Sequence, residues 1–424
     1  MHRRCIFGAT WNELQRDLSG NPQDAVSRVL SNEVRIDGIP DDFTRLADLI
    51  GNAATQQPNA ERLKAWWIYR VLLTPAPLQE RLTLMWHNHF ATSNLKVKSL
   101  PYMQQQNETI RKYAAAPFGD LLHAMLQDPA LLIWLDAPSN RRGHANENLS
   151  RELMELFTLG IGNYTETDVK NAARALTGIT VKDARFHFDP RRHDDGEQTI
   201  FAKTGNFDVD QLAEILLQQP ATSKRLADRL IAEFFGEGIV SESAHHKLAL
   251  QLRRSNLDIG KAVETMLRSQ LFFSDANINS RISDPLSLLI TPLRALELFT
   301  PPPSTLALSE WLNRMGLDLF YPPNVAGWPG GRSWLTTRTV IARANYAAAI
   351  ISGDIYRPAS VPDLPALSKK HAVTKPDEFE KEMNTLLLGD VNLIQANESI
   401  TPSASSREAN SLLTLLSGFH AHLH

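Results

Sequence analysis

Apolar residues recur along this chain mostly at helical spacing. Phe43, Leu46, Leu49 and Ile50 fall on one face, and Leu149, Leu153, Leu156 and Phe157 on another. Helix starts are marked as well. Thr10 with Glu13 reads as a capping box for a short helix through Leu18. Asn21 followed by Pro22 opens a second helix and Asp41 a third. Residues 60–73 and 77–89 read as two helices broken by Thr74-Pro75-Ala76-Pro77. Residues 101–115 and 118–127 continue the series, and Asp128-Pro129 restarts it for 131–135. A polar loop over 137–145 precedes an amphipathic helix over 147–159, which Gly160 and Gly162 end. Thr165 and Asp168 cap the next helix, and Gly178 closes it. Asp208, Ser223, Asp258 and Asp284-Pro285 open four more, and 337–351 is a last regular helix.

Three segments break the helical pattern. Arg185-Phe-His-Phe188 and Thr199-Ile-Phe201 have strand composition, with a polar tip and Asp195-Gly196 between them. They predict a β-hairpin insertion around residues 180–202. Residues 321–334 are rich in Pro, Gly and Trp and read as an irregular loop. Beyond 355 the prolines scatter. Residues 356–424 read as a partly ordered tail with a helix near 378–387 and an apolar one at 408–418. The fold class is therefore mainly α: a multi-helical globular body over 1–355, a small hairpin insertion and a C-terminal tail.

Composition narrows the function. Lys plus Arg is 44 and Asp plus Glu is 47, a net charge of -3, which gives no whole-protein attraction to nucleic acid or anionic lipid. Cys5 is the single cysteine, so neither an intrachain disulfide nor a thiolate zinc cluster can form. The most apolar stretch, 286–299, is interrupted by Pro292, Arg294 and Glu297, so no membrane span is expected. The N-terminus has two arginines without an apolar h-region behind them. As the sequence stands it reads as cytoplasmic, and as exported if a leader lies upstream.

Several blocks stand in fixed order. They are Leu84-Met-Trp-His-Asn-His-Phe-Ala-Thr-Ser93, Asn146-Glu-Asn-Leu-Ser-Arg-Glu-Leu-Met-Glu-Leu-Phe-Thr-Leu-Gly160 and Ala172-Ala-Arg-Ala-Leu-Thr-Gly178. His193-Asp-Asp-Gly196, Lys203-Thr-Gly-Asn-Phe-Asp208 and Pro322-Pro-Asn-Val-Ala-Gly-Trp-Pro-Gly-Gly331 follow. Over roughly residues 3 to 350 the chain resembles the bacterial family called "domain of unknown function 1800". The resemblance implies no particular chemistry. It implies a sulfatase-like protein, encoded nearby, as a partner.

The same blocks hold the candidate chemistry. His87 and His89 form His-x-His, which shares a face on a strand. On a helix the two lie about 200° apart, and the stripe Leu78, Leu82, Met85, Trp86, His89 places His89 inward and His87 outward. In the helix 147–159, Glu147–Arg151 and Arg151–Glu155 are favourable i,i+4 ion pairs. Asn148, Glu152 and Glu155 at i, i+4, i+7 place oxygens for a hard cation. His193, Asp194 and Asp195 offer an imidazole and two carboxylates in one turn, with Arg151 or Arg174 as the partners expected to capture the aspartates. Trp328 and Trp334, with Arg332 between them, read as exposed platforms for a sugar or another flat ligand.

Two readings of function follow. The first is a metal-dependent hydrolase-like enzyme. A divalent ion sits on His87, His89, Glu147, His193 and Asp195, and Glu152, Glu155 or Asp194 acts on bound water. The second is a non-catalytic helical binding or assembly protein, with Arg151, Asn148, Trp328 and Trp334 as ligand contacts. Convergence of the blocks in one concave site separates the two.

Overall fold

The apolar helix faces bury one another in two large clusters. One holds Trp66, Trp67, Leu289, Leu308, Tyr346, Met383 and Leu412. The other holds Leu82, Trp86, Phe118, Leu153, Phe157, Leu226 and Leu252. The computed structural model describes residues 1–31, 42–299, 301–353, 362–389 and 407–424. The helices that place the site are α1 (Ala60–Leu73), α2 (Pro77–His89), α3 (Leu100–Tyr113), α4 (Asn148–Glu152), α5 (Pro220–Phe234), α6 (Pro285–Ala295), α7 (Thr337–Ser352), α8 (Pro376–Leu388) and α9 (Arg407–Ser417).

Helix α2 separates the two clusters. Its Leu84 packs in the first, while Leu78, Leu82, Met85 and Trp86 pack in the second. Of its 13 residues, 11 are buried. A helix covered on all sides must satisfy each polar side chain from inside the protein. Glu80 accepts from Arg111 Nε at 2.7 Å and Nη2 at 3.1 Å, and from Trp67 Nε1 at 3.2 Å. Arg81, fully buried, donates to Asp284 Oδ2 at 2.7 Å and Ser287 Oγ at 2.6 Å and lies 3.9 Å from the Phe7 ring centre.

The mainly α fold class and the capping boxes hold. Thr10/Glu13 and Thr165/Asp168 cap as expected, and Asp208 pairs with Gln211 in the same way. Asp41 lies outside the described residues, and the helix there runs Phe43–Thr55. Helix α5 begins at Pro220, so Ser223 falls inside its first turn and donates to the Pro220 carbonyl. A further helix, Glu242–Arg254, starts at Ser241 and was not visible in the pattern.

Among the described residues strand is confined to 179–205, where two tight hairpins follow one another. β1 (Ile179–Lys182) pairs antiparallel with β2 (Arg185–Phe188), and β3 (Gln198–Ile200) with β4 (Lys203–Gly205). Residues 193–195 link the two hairpins. Helices α8 and α9 add Phe379, Met383, Leu412 and Leu415 to the first cluster, with α9 packed on α7 and α8. Among the described residues no helix is long and apolar enough to cross a membrane.

Candidate functional site

The His87-Asn88-His89 turn is a three-way junction. His87 is buried, contrary to the outward placement expected of it, because α1 and α3 cover the face of α2 that the apolar stripe leaves over. Its ring packs 4.5 Å from Trp67 and 5.8 Å from Phe320, centre to centre. Its Nε2 meets Asn107 Nδ2 at 2.9 Å, and Asn107 Oδ1 accepts from Arg111 at 2.6 Å. That second bond orients the amide, so Asn107 donates and His87 accepts as a neutral ring. His89, on the opposite face, donates from Nε2 to the Phe157 carbonyl at 2.9 Å.

Burial, reinforced by Arg111, pushes the His87 pKa down to about 3. The unfolded chain therefore takes up a proton here that the folded chain refuses between about pH 6.5 and 3. Stability is lost as pH falls through that window. His87→Gln, which keeps an acceptor for Asn107, is expected to reduce this loss by about 1.4 kcal/mol per pH unit. Urea melts between pH 6.5 and 4 check it. Equal slopes in the two proteins would contradict the neutral assignment.

The segment after α4 explains the second block. Residues Leu153–Thr158 wind as a π-helix, with Leu159 N–H donating to Met154 O. Its wider turn changes the helical phase after Glu152. Arg151 keeps its pair with Glu147 at 2.9 Å but forks onto Glu166 at 2.8 Å rather than onto Glu155. Glu155 instead accepts from the Tyr164 hydroxyl at 2.7 Å. Asn148 reaches Asp136 at 3.2 Å. Glu152 is half-buried, and burial followed by its neighbour Glu155 raises its pKa.

The third block is tied to the helical body. Asp194 forks onto Arg174 at 2.8 and 3.1 Å, one of the two partners expected for it, and Asp195 pairs with Arg142. His193 donates from Nδ1 to the Thr177 carbonyl at 2.9 Å and packs on Phe188. The first and second blocks meet on the buried side of the π-helix, where His89 and Phe90 pack on Phe157. Among the described residues no three His, Cys, Asp or Glu side chains are placed together to hold a metal ion.

The concave site lies elsewhere, on the seam between the two clusters. A cleft of ≈ 790 Å³ runs between the end of α2, the last two turns of α5, the 236–240 turn, Ser280–Arg281–Ile282 and the loop carrying Trp328 and Trp334. Leu84, Leu317, Trp328 and Trp334 bring the first cluster to its wall, and Met85 and Phe235 bring the second. Asn88, the residue between the histidines, holds the loop. Its Oδ1 accepts from Trp328 N–H at 2.7 Å and its Nδ2 donates to Trp328 O at 3.2 Å. Gly327 makes this approach possible. It has φ +83°, and a Cβ there would stand 2.6 Å from the Asn88 carbonyl oxygen.

The tryptophans are not open platforms. Trp328 is 6% exposed and Trp334 7%, because the loop folds both indoles back onto the first cluster. Both still line the cleft, with little surface exposed. Arg332 lines the cleft beside the two tryptophans, together with charged residues that the pattern did not single out: Arg229, Glu233, Glu237 and Arg281.

A helical protein with a cleft cut along its internal seam is the class that this geometry defines. The chain matches a family described as "Protein of unknown function (DUF1800)" over residues 1–418, and it belongs to that family. No curated protein and no solved structure matches it.

Proposed function

We propose that this is a helical binding protein whose ligand occupies the seam cleft. The observation that supports it is the double clamp of Asn88 on Trp328. It fixes a Pro- and Gly-rich loop as a rigid wall over a space large enough for a drug-sized molecule. The His87, His89, Glu147, Arg151, Asp194 and Asp195 side chains are engaged in bonds that hold the framework. Their part is to position, not to contact ligand.

The metal-dependent hydrolytic reading stands second and rests on Glu152. Its half-buried carboxyl has a raised pKa beside a π-turn, and both features are frequent at functional sites. One experiment ranks the two. Ala232 lies exposed on α5 at the cleft lining, so Ala232→Trp fills the space at a cost of about 0.5 kcal/mol or less. A thermal-shift panel of small metabolites and divalent salts is run on both proteins and on Glu152→Gln. Compounds that stabilise the parent saturably and leave Ala232→Trp unmoved carry the cleft reading. Stabilisation by a divalent salt that Glu152→Gln alone abolishes carries the hydrolytic one. Hits indifferent to Ala232→Trp sink the first.

A further inference from the structure

Helix α5 lays Arg225, Arg229 and Glu233 along one face at i, i+4, i+8. Arg229 lines the cleft. Its Nη2 donates to the Met85 carbonyl at 2.9 Å, while its Nε has no acceptor among the described residues. It forms no ion pair there either, and burial lowers its pKa to about 10. Arg281 faces the same space and reaches Glu233 at 3.4 Å and the His424 ring at 3.3 Å. Glu233 is also drawn towards Arg81 at 3.6 Å. The other carboxylates of the lining are committed or peripheral. Asp284 is held by Arg81 at 2.7 Å, Asp228 pairs with His245 at 2.6 Å, and Glu237 is exposed on the rim.

Two guanidiniums at the floor thus depend on one loosely held carboxylate. A largely buried cation that makes no ion pair of its own is costly unless an anion joins it. The planar fork of arginine matches two oxygens of one oxyanion. We propose that Arg229 and Arg281 together bind an oxyanionic group of the cleft ligand: a phosphate, a sulfate or a carboxylate. The inference rests on the cleft being the ligand site, and it deepens that reading by naming the chemistry recognised.

The test is a thermal-shift titration of the full chain with inorganic phosphate, sulfate and acetate, ionic strength being held constant with chloride. At least one oxyanion is expected to stabilise saturably where chloride does not. Phosphate or sulfate acting at lower concentration than acetate assigns a tetrahedral ester, and the reverse assigns a carboxylate. Arg229→Gln is expected to weaken the effective oxyanion about tenfold or more. Arg229→Lys, which keeps charge and fold but not the fork, weakens it to a lesser degree. Arg225→Gln removes the same charge one turn away, outside the cleft, and leaves the affinity within about twofold. Oxyanions that do no better than chloride overturn the proposal, as does Arg225→Gln weakening binding as much as Arg229→Gln. If oxyanions fail while panel ligands still lose their effect in Ala232→Trp, the oxyanion falls and the cleft stands.

Discussion

Arg81→Met is expected to lower the unfolding free energy by about 3–5 kcal/mol, because it strands a buried carboxylate. Arg81 has no exposed surface and bridges helix α2 to the start of α6. Asp284 is the N-cap of α6 and accepts from Ser287 N–H at 2.9 Å. Burial alone would raise its pKa. Arg81, with help from Arg281 and Ser287, overcomes burial and holds the pKa down at about 2. Without Arg81 the largest opposing effect is gone, and the buried carboxyl keeps only Arg281 and Ser287 to hold its charge. Glu233 loses its second cation in the same step. Typical domains have only about 5–15 kcal/mol in total, so a loss of this size is readily measured. The double variant Arg81→Met/Asp284→Asn removes both charges and is expected to recover more than half of the loss. Equilibrium urea melts of the three proteins decide it. A single variant within about 1 kcal/mol of the parent would show that the pair is not the joint described here.

The same joint shows what the amino-acid order makes legible and what it hides. Capping is local, so Thr10, Thr165 and Asp208 announce their helices within four residues. Burial on two sides is not local. The stripe from Leu78 to His89 exposes one apolar face of α2. The other face carries Glu80, Leu84 and His87, and reads as solvent-facing until α1 and α3 are laid over it. The π-turn at Leu153–Thr158 is likewise silent in a pattern of leucines, yet it decides that Glu155 meets Tyr164 and not Arg151.

The site divides along the same line. Pro322 to Gly331 is conspicuous by composition, and its place at a cleft wall follows from how glycine and proline shape a loop. Asn88 escaped because the histidines on either side of it are the residues that chemistry draws attention to. The signal that could have found it is a side chain with both a donor and an acceptor, beside a loop whose Gly327 needs positive φ. Arg229 and Glu233 look like surface charges of an amphipathic helix. Nothing near them in sequence says that Met85 and Trp328 close over them.

Raising the pH from about 6.5 to 9 is expected to remove about 3 kcal/mol of stability through one residue, His371. Its ring lies between Glu382, paired at Nδ1, and Glu297 Oε1, 3.0 Å from Nε2, and it stacks on Trp11. The His371 side chain has no exposed surface. Burial alone would lower its pKa, but the two carboxylates outweigh it and hold the pKa at about 9. A pKa raised by folding stabilises fully below the unfolded value of about 6.5, and the gain fades as pH climbs through 9. His371→Gln isolates this contribution, because it retains hydrogen-bonding atoms for both glutamates and cannot titrate. Stability of the parent minus that of the variant should decline across pH 6.5–9 and level off above it. Glu297 follows α6, whereas Glu382 sits on α8, so the ring ties the C-terminal helices to the body through a charge. Protease cleavage at α8 should rise over the same interval in the parent and stay level in His371→Gln. A pH-independent difference between the two proteins would mean that the ring is held neutral and the tie is packing alone.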